Sequence, residues 1–136
     1  MKNNILIIGS TGKLGSKLLK FLSKNSISVY GITCYKNTLK LSLQKKLYNV
    51  ENTFVLSRNE EKAKFLNFLK KKIHIIYFLD YGSMSLQYLK PFLNFNQNSI
   101  IAVANKEMII AGGIFLQKKV KQTNNTFVPL DSEHFS

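Results

Sequence analysis

Acidic side chains are scarce in this sequence. Seven Asp and Glu stand against twenty Lys and Arg in 136 residues, for a formal net charge of +13. A single cysteine, Cys34, excludes an intramolecular disulfide and fits a reducing compartment, so a cytoplasmic location is expected. In its strand-like surroundings Cys34 reads as a small buried apolar residue. No apolar run approaches the roughly 18 residues needed to span a membrane. The opening Met1-Lys2-Asn3-Asn4 leads straight into a strand-like run without a signal-peptide pattern. Internal repeats, low-complexity linkers and domain boundaries are also missing, so the chain reads as one module with room for a real core.

The positive charge is almost wholly lysine, Arg58 being the lone arginine, and Asn, Ile and Phe are abundant. An AT-rich genome produces that composition without any partner. The alternatives are a phosphate-bearing ligand or a nucleic acid. The basic runs Lys45-Lys46 and Lys70-Lys71-Lys72 fall at the ends of predicted helices, where cations complement the helix dipole. They read as solvated faces, and no motif supports nucleic-acid binding.

Strand-like segments recur at Ile5–Ile8, Val29–Cys34, Thr53–Leu56, Ile73–Leu79, Ser99–Val103 and Thr126–Leu130. Several are apolar on consecutive residues, as strands buried on both faces of a parallel sheet should be. Between them lie helix candidates at Lys13–Ser23, Leu39–Leu47, Glu60–Lys71, Ser85–Phe95 and Glu107–Gln122. The first carries Leu14, Leu18, Leu19, Phe21 and Leu22 as its inward stripe. The third turns Phe65, Leu66, Phe68 and Leu69 inward, and Pro91 is placed to kink or break the fourth. Six strands alternating with five helices predict an α/β fold: a single-domain, doubly wound, Rossmann-like parallel sheet.

Five motifs fall at the carboxyl ends of the predicted strands, the edge where open α/β sheets bind ligands. Gly9-Ser10-Thr11-Gly12-Lys13-Leu14-Gly15 joins strand one to helix one. Glycines three apart allow a tight turn, close approach of a pyrophosphate and close helix packing, with the phosphates at the helix N-terminus. The alternative is a turn that serves packing alone. After strand two comes Cys34-Tyr35-Lys36-Asn37, without the acid that NAD-specific folds use to hold the ribose 2′-hydroxyl. Lys36 in its place favours a 2′-phosphate, hence NADPH. Tyr81-Gly82-Ser83-Met84-Ser85 fits either close cofactor passage or a plain turn. Ala104-Asn105-Lys106-Glu107 places an amide, a cation and a carboxylate at a helix head, where capping would also explain them. Asp131 and Glu133 suit Mg²⁺ or Mn²⁺, with positions left open for water and substrate. A solvated loop is the plainer reading of such a pair taken alone.

Through Ala104-Asn105-Lys106-Glu107 and Pro129-Leu130-Asp131-Ser132-Glu133-His134 the chain resembles the 1-deoxy-D-xylulose 5-phosphate reductoisomerase family. Gly9-Ser10-Thr11-Gly12 with Gly15, and Lys36-Asn37, also match that family's amino-terminal pattern. The resemblance implies an NADPH- and divalent-metal-dependent enzyme of isoprenoid biosynthesis by the methylerythritol phosphate route. It converts 1-deoxy-D-xylulose 5-phosphate, a small sugar phosphate, to 2-C-methyl-D-erythritol 4-phosphate. This chain would be its NADPH-binding domain over residues 1–136, a fragment inactive alone. The longer protein would be a homodimer, with neither membrane nor nucleic acid as partner. A stand-alone, non-catalytic NADP(H)-binding protein is the alternative.

Carried over by residue, the resemblance implies cofactor contacts for Gly9, Thr11, Gly12, Lys13 and Leu14. Lys36 and Asn37 would meet the 2′-phosphate, and Asn105 and Glu107 would line the cofactor. Lys106 and Ser132 would contact substrate, while Asp131 and Glu133 would hold Mg²⁺ or Mn²⁺, Glu133 thereby counting among the catalytic groups. His134 follows the metal pair. Several positions depart from the family pattern: Lys13 replaces a small residue, Tyr35 a glycine near the adenosine ribose, and Ser85 a second glycine. The stretch from Asn59 to Ile73 is short. The third carboxylate ligand, the lid and the substrate-phosphate site of the family are expected beyond Ser136.

Overall fold

The computed structural model describes residues 3–80, 85–104, 113 and 117–130. Six four-residue strands form one parallel sheet: β1 (Ile5–Ile8), β2 (Gly31–Cys34), β3 (Asn52–Val55), β4 (Ile75–Phe78), β5 (Ile100–Val103) and β6 (Thr126–Pro129). Their spatial order is β3-β2-β1-β4-β5-β6. The chain therefore winds outward from β1 to one edge, crosses back, and winds outward from β4 to the other. Every pairing is parallel, with Ile8 level with both Thr33 and Phe78. That is the doubly wound arrangement expected from the alternation of strands and helices.

Alternate residues of β1, β3 and β4 feed opposite cores. Leu6 and Ile8 of β1, with Ile76 and Phe78 of β4, enter one cluster with Phe65 and Phe68 of α3 (Asn59–Phe68). Leu89, Phe92 and Leu93 of α4 (Leu86–Phe95) complete it. Ile5 and Ile7 enter the other, beneath Leu18, Leu19 and Leu22 of α1 (Lys13–Lys24) and Leu41 of α2 (Thr38–Tyr48). Burial on both faces is why β1 reads as an unbroken apolar run. Cys34 lies in the second core, as expected, and burial pushes its thiol up.

Several boundaries differ from the sequence expectation. Helix α3 stops at Phe68, so Lys70, Lys71 and Lys72 lie beyond it rather than in its last turn. Phe21 stands half exposed on α1, because the buried stripe is satisfied by Gly15, Leu18, Leu19 and Leu22. Pro91 does not break α4, which runs through it from Leu86 to Phe95. Burial of Leu89, Phe92 and Leu93 offsets a lost ladder bond and a steric clash that together cost about 3 kcal/mol. Of the fifth helix candidate, residues 113 and 117–122 are described and helical; the rest lies outside the described residues.

The amino-terminal edge of the sheet is tied by buried amides. Asn96 accepts from the Ile73 amide (2.8 Å) and donates to the Leu69 carbonyl (3.1 Å). Asn125 accepts from the Ser99 amide (2.7 Å) and donates to the Asn96 carbonyl (3.0 Å). The hydroxyl of Ser99 donates to the Ile73 carbonyl (2.6 Å). These bonds fix the entries to β4, β5 and β6, so the opposite ends of those strands are held in register.

Candidate cofactor site

The β1–α1 turn is built from three glycines with three different reasons. Gly9 has φ of +91°, and a Cβ there would lie 2.8 Å from the Asp80 amide nitrogen. Gly15 has no room at all, since its Cβ would fall 2.0 Å from the Gly9 carbonyl oxygen. Gly12 is different. Its backbone is extended (φ −72°, ψ 174°), and an added Cβ would meet only the Gly9 carbonyl oxygen, at 3.8 Å. The protein itself does not require glycine there. A ligand pressing on the backbone would.

Helix α1 begins at that point without a side-chain cap and without an acid in its first turn. Its first backbone bond runs from the Ser16 amide to the Gly12 carbonyl (2.9 Å). The preceding amides therefore face outward at the positive end of the helix, an arrangement suited to phosphate oxygens.

A cleft of 290 Å³ opens beside this turn. Gly9, Thr11 and Gly12 line it from the turn, Tyr35 from the end of β2, and Asp80 and Tyr88 from across the β1–β4 seam. That seam is where the strand order reverses, the switch point at which such sheets bind ligands. A larger depression of 730 Å³ lies at the other edge, among Asn3, Asn4, Lys45, Lys46 and Asn49. It has neither a glycine turn nor a helix N-terminus.

Other expected residues stand around the cleft rather than in its wall. Lys13 is exposed at the first position of α1, and Leu14 packs its side chain on the second core. Lys36 is exposed, with its ammonium 5.7 Å from the centroid of the Tyr35 ring. Asn37 caps α2, its side-chain oxygen accepting from the Lys40 amide (3.2 Å). The expected residues Asn105, Lys106, Glu107, Asp131, Ser132, Glu133 and His134 lie outside the described residues, as do the first four positions of the Tyr81–Ser85 motif. The chain approaches the two polar motifs from adjacent strand ends. The Leu130 amide donates to the Val103 carbonyl (2.8 Å), and the Ala104 amide to that of Phe78 (3.0 Å). Among the described residues no group of three His, Cys, Asp or Glu could hold a metal ion.

Two participants were not expected from the sequence. Asp80 lies between Gly9 and the head of α4, where the Ser85 hydroxyl donates to its carboxylate. Burial pushes its carboxyl above the ordinary carboxylate range, although the Ser85 bond pulls the other way. Beneath the turn, Gln44 of α2 bonds Ser10 through both ends of its amide. Asp80 could have been suspected as one of seven acids at the end of a strand; Gln44 carries no local signal.

A sequence model of 1-deoxy-D-xylulose 5-phosphate reductoisomerase matches residues 5–89, more than half of the chain. The chain belongs to the 1-deoxy-D-xylulose 5-phosphate reductoisomerase family. It is 37% identical over 151 aligned residues to the reductoisomerase of Pelagibacter ubique (strain HTCC1062), which covers 97% of this chain and 39% of that protein. The chain thus spans about two fifths of the length of its curated relatives. Its fold is that of the reductoisomerase from Zymomonas mobilis in complex with NADPH, with a TM-score of 0.80 at 19% identity over 98% of this chain and 40% of that one. A reductoisomerase in complex with NADPH, fosmidomycin and magnesium aligns with a TM-score of 0.78 at 18% identity, over 97% and 37%.

Proposed function

We propose that this chain is the NADPH-binding part of a reductoisomerase that converts 1-deoxy-D-xylulose 5-phosphate to 2-C-methyl-D-erythritol 4-phosphate. The observation that carries the reading is Gly12: a glycine where a Cβ would fit without a clash, beside an uncapped helix N-terminus, in a chain of this family. The backbone amides that open α1 take the pyrophosphate, and Thr11 flanks it. Lys36 and the Asn37 amide take the 2′-phosphate, with no acid nearby in sequence to prefer a 2′-hydroxyl. Tyr35, on the cleft wall, offers its ring to the adenine. Bound NADPH supplies the hydride.

The remaining roles follow the family resemblance: Asn105 and Glu107 along the cofactor, Lys106 and Ser132 at the substrate, Asp131 and Glu133 at Mg²⁺ or Mn²⁺. The longer protein would work as a homodimer, and this chain alone would bind NADPH without turning substrate over.

Titration of the chain with NADPH and NADH tests the cofactor reading. NADPH should bind at least tenfold more tightly, and Lys36→Ala should remove most of that preference. Equal affinity for the two dinucleotides, or none for NADPH, would overturn it. Activity is read in the longer protein that carries this segment, as substrate-dependent NADPH oxidation with Mn²⁺. Loss of that turnover in Asp131→Asn should accompany unchanged NADPH affinity.

A further inference from the structure

The phosphate turn is held from behind by a buried side chain that the proposed cofactor would never touch. Ser10, fully buried, sits between Gly9 and Thr11 with its side chain turned away from the cleft. Its hydroxyl donates to the Gln44 side-chain oxygen (2.8 Å), and its carbonyl accepts from the Gln44 side-chain nitrogen (2.8 Å). Ser16 of α1 joins them, donating to the same carbonyl (3.2 Å) and lying 3.4 Å from the Gln44 nitrogen. The backbone of the turn is also tied to β2. The Ser10 amide donates to the Thr33 carbonyl (2.9 Å), and the Gly9 amide to the Thr33 hydroxyl (3.2 Å).

Gln44 is buried, two helical turns after Asn37, on the helix whose head carries Lys36 and Asn37. A primary amide is the neutral side chain that offers a donor and an acceptor side by side, which is what a Ser hydroxyl and its own carbonyl require. With both bonds made, α2 cannot slide or tilt against the turn without exposing unpaired polar groups in the interior.

We propose that Gln44 is a positioning residue that locks α2 to the β1–α1 turn and so sets the spacing between the pyrophosphate and 2′-phosphate subsites of the cofactor. The inference rests on the NADPH reading above. It assigns to Gln44 the joint occupation of two subsites, not the affinity of either one. A dinucleotide phosphate engages both ends of the site and feels their relative placement; adenosine 2′-phosphate engages one end and does not.

The test compares the full chain with Gln44→Met, which keeps side-chain length and removes both bonds, and with Ser10→Ala, which keeps the carbonyl bond and removes the hydroxyl's contacts to Gln44 (2.8 Å) and to the Thr33 carbonyl (3.3 Å). Each is titrated with NADPH and with adenosine 2′-phosphate. Gln44→Met should bind NADPH at least tenfold more weakly and adenosine 2′-phosphate within twofold of wild type, with Ser10→Ala between. Unchanged NADPH affinity in both variants would overturn the proposal. So would equal losses for the two ligands, which mark a general packing role. If Gln44→Met does not fold, Ser10→Ala decides alone. Wild-type chain that fails to bind NADPH would overturn the cofactor reading instead. The lock is then read by amide hydrogen exchange: Gln44→Met should speed exchange at the turn selectively over β4 and β5, and uniform change would sink it.

Discussion

Gly12 and Gly15 look interchangeable as letters of one motif, yet they answer to different forces. Gly15 supports the close seating of α1 on the turn, and any side chain there collides with backbone that cannot retreat. Gly15→Ala should therefore cost about 3 kcal/mol or more of stability, seen as an earlier urea unfolding midpoint. Gly12→Ala adds a methyl at ordinary contact distance in an unstrained conformation. Its stability should fall by no more than about 1 kcal/mol, the cost of alanine for glycine at a helix N-cap, while NADPH affinity falls. Stability loss in Gly12→Ala comparable to that of Gly15→Ala would show that both glycines serve packing.

Asp80 gives the cleft a pH dependence with a definite sign. Its carboxyl is raised above 3.8 in the folded chain, chiefly by burial, so the folded state holds the proton to higher pH than the unfolded state. Stability contributed by this group is present below its unfolded value and lost as pH rises through its folded value. Asp80→Asn should be more stable than wild type at neutral pH, with the difference vanishing in acid. The ionised group also faces the cleft that would receive phosphates, so the same variant should bind NADPH more tightly at pH 8. A stability difference that grows in acid would contradict the assignment.

Helix α2 shows what periodicity reveals and what it hides. Leu41 and Gln44 are its buried residues, while Leu39, Leu43 and Leu47 stand 80%, 67% and 73% exposed on the far side. Apolar content alone would turn the leucine stripe inward, and the chain does the reverse because a reciprocal amide pairing claims the inner face. Leu43→Glu removes little buried surface and places a carboxylate three residues from both Lys40 and Lys46. Such pairs contribute about 0.2–0.5 kcal/mol each. Unfolding should shift slightly later in denaturant or not at all, whereas Leu41→Ala should cost about 2–5 kcal/mol.

The strands, the order of elements and the glycine turn were legible in the sequence because each rests on short-range pattern. Consecutive Ile and Leu mark β1, and Gly9, Gly12 and Gly15 mark the turn. Gln44 and Asp80 were not legible, because their roles come from partners 34 and 71 positions away. Phe21 misled for a related reason: a helix with enough inward leucines has no need of it.

At the scale of the whole molecule, the two edges of the sheet divide the work. The amino-terminal edge carries the buried Asn96–Ser99–Asn125 network, and the carboxyl-terminal edge carries the glycine turn, the cleft and the approaches to the expected metal and substrate residues. Asn96→Ala would strand the Ile73 amide and the Leu69 carbonyl in the interior, at a cost of about 3 kcal/mol. NADPH affinity of the folded fraction should not change. An equal fall in affinity would show that the edges are mechanically coupled.

The seam between β1 and β4 also has a consequence in time. It joins residues some 70 positions apart, and the Asn4 amide donates to His74 (2.9 Å) across the same gap. The glycine turn is encoded within the first fifteen residues, but Gly9 rests on the backbone of Asp80. Chain growth therefore writes the glycine turn early and finishes it late. Until Asp80 has been synthesised and β4 has docked, a nascent chain owns the motif without owning the site.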